Sequence, residues 1–403
     1  MDVEYRAITE GEFDAFARAG RIAFGSEPFT PETPLGFSRS ELERTRAAFV
    51  GDEIVGSGRN YSFELSLPGG AMVPAAAVSW IAVANSHRRR GVLKGMMAAL
   101  DDDAVAHGEA LSILTASEGG IYGRFGYGVA TWRMFLSVER AYSGFAAPVH
   151  DDGRMRHLDR AEALESFPAV YARTARLRPA WVSRPDEWWD ESFFNFAPPG
   201  KAGFFVQHEG SDGVADGFLI YEISGDFALG INRKQLRVID LVALTPHVRA
   251  LLWQFAFSVD LVHTITASMT AVDDPLRFLL ADGRRLRVEA VNDHLWVKII
   301  DVERALEARR YSTTDRLALE VHDGATVTCV ELDAGPDGGH CRTTTATPDL
   351  VMGLSELGSV YLGGVRAEQH AAAGKIEERT PGAIARLDAM FASYPTPACL
   401  TGF

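Results

Sequence analysis

The chain has 403 residues, 47% of them hydrophobic and 23% charged, which is enough apolar material for two or three folded domains. Its formal net charge of −14, from 54 acidic and 40 basic residues, argues against general binding to nucleic acid. The three cysteines show no Cys-x-x-Cys spacing, which argues against a disulfide framework and against a zinc site.

Neither the first residues nor the apolar runs have the pattern of a targeting or spanning segment. The start, Met-Asp-Val-Glu-Tyr, is acidic and lacks the basic and apolar regions of a signal peptide. The longest apolar stretch, 251–262, is interrupted by Gln254 and Asp260 and is too short for a bilayer. We therefore expect a cytoplasmic protein with no membrane partner.

The first predicted domain, 1–145, is an alternating α/β unit. Apolar residues at helical spacing and glycine turns predict its elements. These are helices over 13–24 and 92–106 and strands over 47–55, 61–67, 73–83 and 110–116.

A second domain, 146–290, follows a polar break at 147–153 and repeats the mixed order. Its predicted elements are helices after Asp159 and over 186–194 and 246–259, and strands over 202–208, 217–224, 235–244 and 264–269. The third domain, 291–403, begins with His294-Leu-Trp-Val297. Its predicted elements are helices over 302–309 and 382–391 and strands over 317–321 and 325–331.

The stretch Ser86-His-Arg-Arg-Arg-Gly-Val-Leu-Lys94 joins a predicted strand to a predicted helix. Unpaired N–H groups and the dipole at a helix N-terminus attract anions, and Gly91 permits close approach of the backbone. Arg88, Arg89, Arg90 and Lys94 add mobile positive charge. The order predicts a polyphosphate site, although a basic turn of this kind is also typical of a solvated loop.

A second informative stretch runs from Ala116 to Gly128 and contains five glycines in thirteen residues. Such density indicates backbone that lies close to a ligand or adopts unusual dihedrals. Tyr127 is interpreted as packing over a turn. Tyr122 is a candidate proton donor, because a phenol with a pKa of about 10 can protonate a departing thiolate.

These two stretches together resemble the enhanced intracellular survival (Eis) family of GNAT acetyltransferases. Leu357-Gly-Ser-Val-Tyr-Leu-Gly-Gly364 is similar to a segment of sterol-carrier-like domains. The resemblance covers essentially the whole chain. It implies an α/β (mixed α+β) fold of two fused GNAT-type domains, the second without a coenzyme loop, and a sterol-carrier-like C-terminal domain, often assembled as a homo-hexamer.

The resemblance also implies roles for individual residues. Acetyl-CoA would be the co-substrate, with no metal. Its binding residues would be Ile81, Ala82, Val83, Arg89, Arg90, Gly91, Val92, Leu93, Lys94, Ser117 and Glu118. Tyr122 would be the general acid, and the free α-carboxylate of Phe403 would be the base on the incoming amine.

An α-carboxylate suits that role, because it is ionised at neutral pH and can pair with an ammonium group. The usual fate of terminal residues is disorder, but an aromatic last residue has a reason to bury its ring. His87 and Asp101–Asp103 are weaker candidates for the base, and no cysteine near the glycines supports a covalent intermediate. The family often has an acidic residue where this chain has Gly402; Glu27 is one candidate to line an amine pocket instead.

The sequence therefore predicts an acetyl-CoA-dependent N-acetyltransferase of primary amines, either aminoglycoside-like polyamines or lysine-type amines, acting by direct transfer in a ternary complex. The alternative is an apolar-ligand-binding protein with a vestigial acetyltransferase half. Binding of nucleic acid through Arg88–Arg90 is a third hypothesis, which the net charge opposes.

Overall fold

The computed structural model describes residues 2–26, 29, 33–196, 203–228 and 231–403. Its strands are β1 (Glu4–Arg6), β2 (Ala47–Val50), β3 (Glu53–Ser66), β4 (Met72–Val83), β5 (Leu111–Thr115), β6 (Gly128–Val129), β7 (Trp132–Glu139), β8 (Arg154–Leu158), β9 (Gly203–Glu209), β10 (Ala215–Ser224), β11 (Phe227–Ala228), β12 (Ile231–Asn232), β13 (Gln235–Ala243), β14 (Thr264–Ala271), β15 (Arg287–Asp293), β16 (Leu295–Ile299), β17 (Asp315–Asp323), β18 (Thr326–Gly335), β19 (Gly338–Thr343), β20 (Leu350–Gly353) and β21 (Ile376–Glu378).

Seven of the eleven helices in the described residues fall on predicted helices, and four short helices were not predicted. They are α1 (Phe13–Phe24), α2 (Gly36–Arg39), α3 (Val92–Ala106), α4 (Arg160–Thr174), α5 (Asp186–Phe196), α6 (Pro246–Ser258), α7 (Leu276–Leu279), α8 (Val302–Glu307), α9 (Leu354–Val360), α10 (Ala367–Ala372) and α11 (Ala383–Phe391). The predicted helices over 13–24 and 92–106 are confirmed at both ends. Among the described residues, no helix is both long and apolar enough to cross a bilayer.

The first sheet has the order β1-β2-β3-β4-β5-β16-β6. The prediction of one strand over 47–55 is wrong. The chain turns back at Gly51, whose φ is +58°, and β2 and β3 on either side of this turn pair antiparallel. α3 makes the crossover between the parallel strands β4 and β5. β16, from the segment predicted to begin the third domain, pairs with both β5 and β6.

The second sheet has the order β15-β7-β14-β13-β10-β9-β8. Its strand β7 comes from within the first predicted domain, and β15 runs across the predicted boundary at 290. In β7, Met134, Leu136 and Val138 alternate with more exposed residues and enter the core beneath this sheet. The first sheet therefore contains β16 from the predicted domain 291–403, and the second sheet contains β7 from the predicted domain 1–145. Each sheet thus combines strands from more than one of the predicted domains 1–145, 146–290 and 291–403.

The third sheet has the order β19-β18-β17-β20-β21 and carries α8 to α11. Beyond α11 the chain returns to the first two sheets, and Ala398, Cys399 and Leu400 are buried. One hydrophobic core is shared by residues of all three parts of the chain, among them Leu65, Phe218, Leu319 and Leu400. Residues 398–401 are thus a packed part of the molecule.

Candidate active site

The site is an opening in the first sheet between β4 and β5. The parallel pairing of these strands covers only Ala75–Ala77 and Leu111–Ile113. Beyond it β5 stays paired with β16 to Thr115, whereas β4 continues to Val83 past a bulge opposite Ser57 and Arg59. This divergence leaves the backbone edge of Val78–Val83 that faces β5 without a strand partner among the described residues.

A cavity of about 970 Å³ fills this opening. It is lined by Ala23, Phe24, Ile81, Ala82, Val83, His87, Arg88, Arg89, Gly91, Val92, Leu93, Lys94, Ser117, Glu118, Ile121, Tyr122, Arg124 and Phe125. Every predicted coenzyme-binding residue except Arg90 lines this one cavity. Arg90 lies exposed on the same loop.

The basic loop presents an open helix N-terminus to the cavity. Arg89 and Gly91 have φ values of +62° and +85°, and α3 begins directly afterwards with no side chain capping it. A Cβ at Gly91 would meet no atom of the described residues within 4 Å, so none of them fills the space above the backbone. In the described part of the chain no carboxylate forms an ion pair with Arg88, Arg89, Arg90 or Lys94. Free N–H groups and unpaired cations fit a diphosphate.

Tyr122 lies at the start of a short 3-10 helix, Tyr122–Phe125, and its side chain is buried. The rings of Tyr122 and Tyr127 form an edge-to-face pair with centroids 6.1 Å apart, and Tyr127 shares a 2.7 Å hydrogen bond with Ser112 on β5. Burial, and secondly the Glu118 carboxylate, raises the pKa of the Tyr122 phenol to about 12. The phenol is therefore protonated at neutral pH and is available as a proton donor.

Phe403 lies at the end of β5, beside the opening. Its ring packs against Phe63 with centroids 5.2 Å apart and an angle of 77° between the planes. Thr115 Oγ1 contacts its terminal oxygen at 3.5 Å, and Trp188 Nε1 donates to the carbonyl of Gly402 at 3.3 Å. Phe403 does not itself line the cavity, but Ser117, two residues after Thr115, does.

The sequence reasoning missed part of this site. Ala23 and Phe24, at the end of α1, form one wall of the cavity, and Phe24 is half exposed there. The only sequence signal for Phe24 was its place as an apolar residue at the end of an amphipathic helix. Glu27, a candidate for an amine pocket, lies outside the described residues, as does Ala202 at the start of a predicted strand. Those described contain no group of three or more His, Cys, Asp or Glu side chains with metal-ligand geometry.

Family models match the chain in three places. Residues 4–130 and 180–299 each match an acetyltransferase (GNAT) domain, and residues 302–400 match a sterol carrier protein domain. These matches agree with the predicted fold of two GNAT-type domains and a sterol-carrier-like domain.

Comparison with whole proteins extends the likeness over the full length. N-acetyltransferase Eis of Mycobacterium tuberculosis is 35% identical over 353 residues, which are 85% of this chain and 84% of that protein. A protein of Streptomyces griseus named as an N-acetyltransferase is 35% identical over 417 residues, 99% of both chains. The crystal structure of Eis1 from Mycobacterium abscessus superposes over 100% of both chains, with a TM-score of 0.87 and 31% identity.

The fold, the cavity at the open edge of β4 and these relatives all indicate an acetyltransferase. GNAT acetyltransferases use acetyl-CoA as their donor, and the residues that line this cavity suit a thioester that carries a diphosphate. The chain belongs to the Eis family of GNAT N-acetyltransferases.

Proposed function

We propose that the protein transfers the acetyl group of acetyl-CoA directly to a primary amine of a cationic acceptor, in a ternary complex. The observation that carries the proposal is the single cavity that unites the open edge of β4, the uncapped basic start of α3 and the buried phenol of Tyr122. Aminoglycoside-like polyamines and lysine-type amines are the proposed acceptors.

The residues that line the cavity fit the donor. The edge of β4 at Ile81, Ala82 and Val83 that is not paired with β3 would hydrogen-bond the extended arm of acetyl-CoA and polarise its carbonyl. The loop from Arg89 to Lys94 would hold the diphosphate, with Arg90 contributing from outside the cavity wall. Ser117 and Glu118 would form the facing side.

Phe403 is proposed as the base and Tyr122 as the acid. The substrate ammonium gives one proton to the Phe403 carboxylate, and the amine nitrogen then attacks the thioester carbon. As the carbon–sulfur bond breaks, the sulfur takes a proton from Tyr122. The nitrogen loses its second proton to water on becoming an amide, Tyr122 regains a proton from solvent, and the Phe403 carboxyl releases its proton to solvent. The overall change releases one proton to solvent and leaves both residues as they began.

The other expectations belong to the same proposal. We propose a cytoplasmic homo-hexamer with no nucleic-acid or membrane partner, and a chain divided in order into 1–145, 146–290 and 291–403. The hexamer rests on the family resemblance, and light scattering on the purified protein would measure it.

The test is thiol release from acetyl-CoA with a panel of aminoglycosides, polyamines and lysine peptides, followed by mass spectrometry of each acceptor. We expect release that depends on the amine and a gain of one or more acetyl groups on it. If no amine is acetylated while acetyl-CoA binds, and an apolar ligand is extracted in stoichiometric amount, the protein is a binding protein instead.

A further inference from the structure

We propose that the second GNAT-type domain positions the base of the first, through a buried hydrogen-bonded cradle around Thr401. The cradle consists of Tyr171, Arg184, Trp188 and Asp240. The inference rests on the proposed role of the Phe403 carboxylate and assigns to these residues the task of holding it in place.

Arg184 is the centre of the cradle, and its side chain is 1% exposed. It donates from Nε to Thr401 Oγ1 at 2.9 Å and from Nη2 to the carbonyl of Leu400 at 3.3 Å. Its Nη1 forms an ion pair of 2.6 Å with Asp240 on β13. One guanidinium thus binds two consecutive residues of the C-terminal segment.

The hydroxyl of Thr401 is used twice, and the direction of each bond can be assigned. Tyr171 donates its only hydroxyl proton to the carbonyl of Val182 at 2.7 Å, so at 2.9 Å its oxygen accepts from Thr401. Thr401 therefore accepts from Arg184 and donates to Tyr171. A side chain with both partners satisfied in a dry site has one preferred rotamer, which fixes the backbone that carries it.

The cradle is tied to the sheet that holds the active site. The segment just before Arg184 pairs with the end of β3, through Ser66 N–H to Trp181, Ala180 N–H to Ser66, and Ser183 N–H to Glu64. Phe403 packs against Phe63 on that same strand. The Arg184 guanidinium and the Phe403 carboxylate are thus both held against the same strand, β3.

Hydrogen bonds rather than packing fix the last residues on one side. A cavity of about 270 Å³ lies against Leu400 and Gly402, and a Cβ at Gly402 would meet no described residue within 4 Å. Trp188 Nε1 adds one bond to the Gly402 carbonyl at that open side. Loss of the Thr401 bonds would therefore let the carboxylate move.

The cradle also keeps its cation away from the carboxylate. Among the described residues, no lysine or arginine forms an ion pair with the terminal carboxylate of Phe403. The charge of Arg184 is balanced by Asp240 and lies over the rings of Tyr171, at 3.9 Å, and Trp188, at 4.4 Å. A guanidinium paired with the carboxylate would lower its basicity. Arg184 instead acts through the neutral side chain of Thr401 and the carbonyl of Leu400.

The test compares Thr401→Val, which keeps the shape and removes the hydroxyl, with Thr401→Ser, which keeps the hydroxyl and removes a methyl group. Each is made in the full chain and in a chain that lacks Phe403. Turnover is measured by thiol release at saturating acetyl-CoA over pH 6.5 to 9.5, acetyl-CoA affinity by titration, and folding by thermal unfolding.

We expect Thr401→Val to lower kcat about tenfold or more, because small displacements of a catalytic group are costly, and to leave acetyl-CoA affinity unchanged. The deficit should shrink at high pH, where the acceptor amine needs no base. Thr401→Ser should recover most of kcat. In the chain without Phe403, Thr401→Val should have no further effect.

Equal losses in Thr401→Val and Thr401→Ser, or the same loss with and without Phe403, would overturn the cradle and indicate packing alone. If removal of Phe403 by itself leaves turnover intact, the base assignment fails, and the cradle with it. The chain that lacks only Phe403 tests the base assignment by itself, so failure of the base assignment can be distinguished from failure of the cradle.

Discussion

Replacing Tyr122 by phenylalanine isolates the proposed acid. The substitution removes the hydroxyl and keeps the ring that meets Tyr127 edge-on at 6.1 Å. With its pKa raised to about 12, the phenol stays protonated throughout the neutral range, so the wild-type rate should show no loss of this acid below pH 9. General acid catalysis contributes roughly 10²- to 10⁴-fold in rate, or about 3–5 kcal/mol of barrier.

We therefore expect Tyr122→Phe to lower kcat about 100-fold or more, at unchanged acetyl-CoA affinity. Thiol release at saturating acceptor measures kcat, and calorimetric titration measures affinity. An activated aryl thioester provides the matched control, because its thiolate leaves without protonation and its turnover should fall much less. The reasoning would be refuted by a kcat within about threefold of wild type, or by equal losses with both thioesters.

Three further predictions concern other parts of the molecule. Arg89 lines the cavity and Arg90 does not, so Arg89→Gln should weaken acetyl-CoA binding more than Arg90→Gln, as measured by titration at low and high salt; equal effects would contradict the placement. Gly402→Glu adds a carboxylate where a Cβ meets no described residue within 4 Å, and should lower KM for polycationic acceptors, because the added charge attracts their further ammonium groups, with little change for a monoamine; an unchanged KM for both would show that position 402 does not face the acceptor. Hydrogen bonds from Arg156 and then Arg154 hold the pKa of Glu209 at about 2 against an ordinary 4.5, so its contribution to stability is complete above pH 4.5 and is lost as pH falls toward 2. In acid titrations, Glu209→Gln should make the unfolding free energy less dependent on pH across that window. An unchanged dependence on pH would count against the assignment.

Local signals in the sequence predicted the elements that build the cavity. The basic glycine turn followed by an apolar periodicity marked α3 at both ends, since caps and helical spacing are properties of neighbouring residues. The glycine density around Tyr122 marked a segment with unusual backbone, and the structure has Gly126 at a φ of +87° there.

Contacts between distant residues were beyond this reasoning. β16 lies between β5 and β6 in the first sheet, although 179 residues (116–294) separate it from β5. Its five residues are all buried, and nothing in that short run indicates which strands it pairs with. Arg184 and Thr401 are 217 residues apart, and nothing near either residue indicates the other. The exchange of β7 and β16 between sheets likewise depends on tertiary packing.

The most direct test of the central claim compares thiol release by the native chain, by a chain lacking Phe403, and by a chain extended by one glycine beyond it. The proposal predicts that both altered chains bind acetyl-CoA normally and lose most of their turnover at pH 7, the extended one because its carboxylate is displaced while the Phe403 ring is retained. Native turnover in the extended chain would contradict the assignment of the terminal carboxylate as the base.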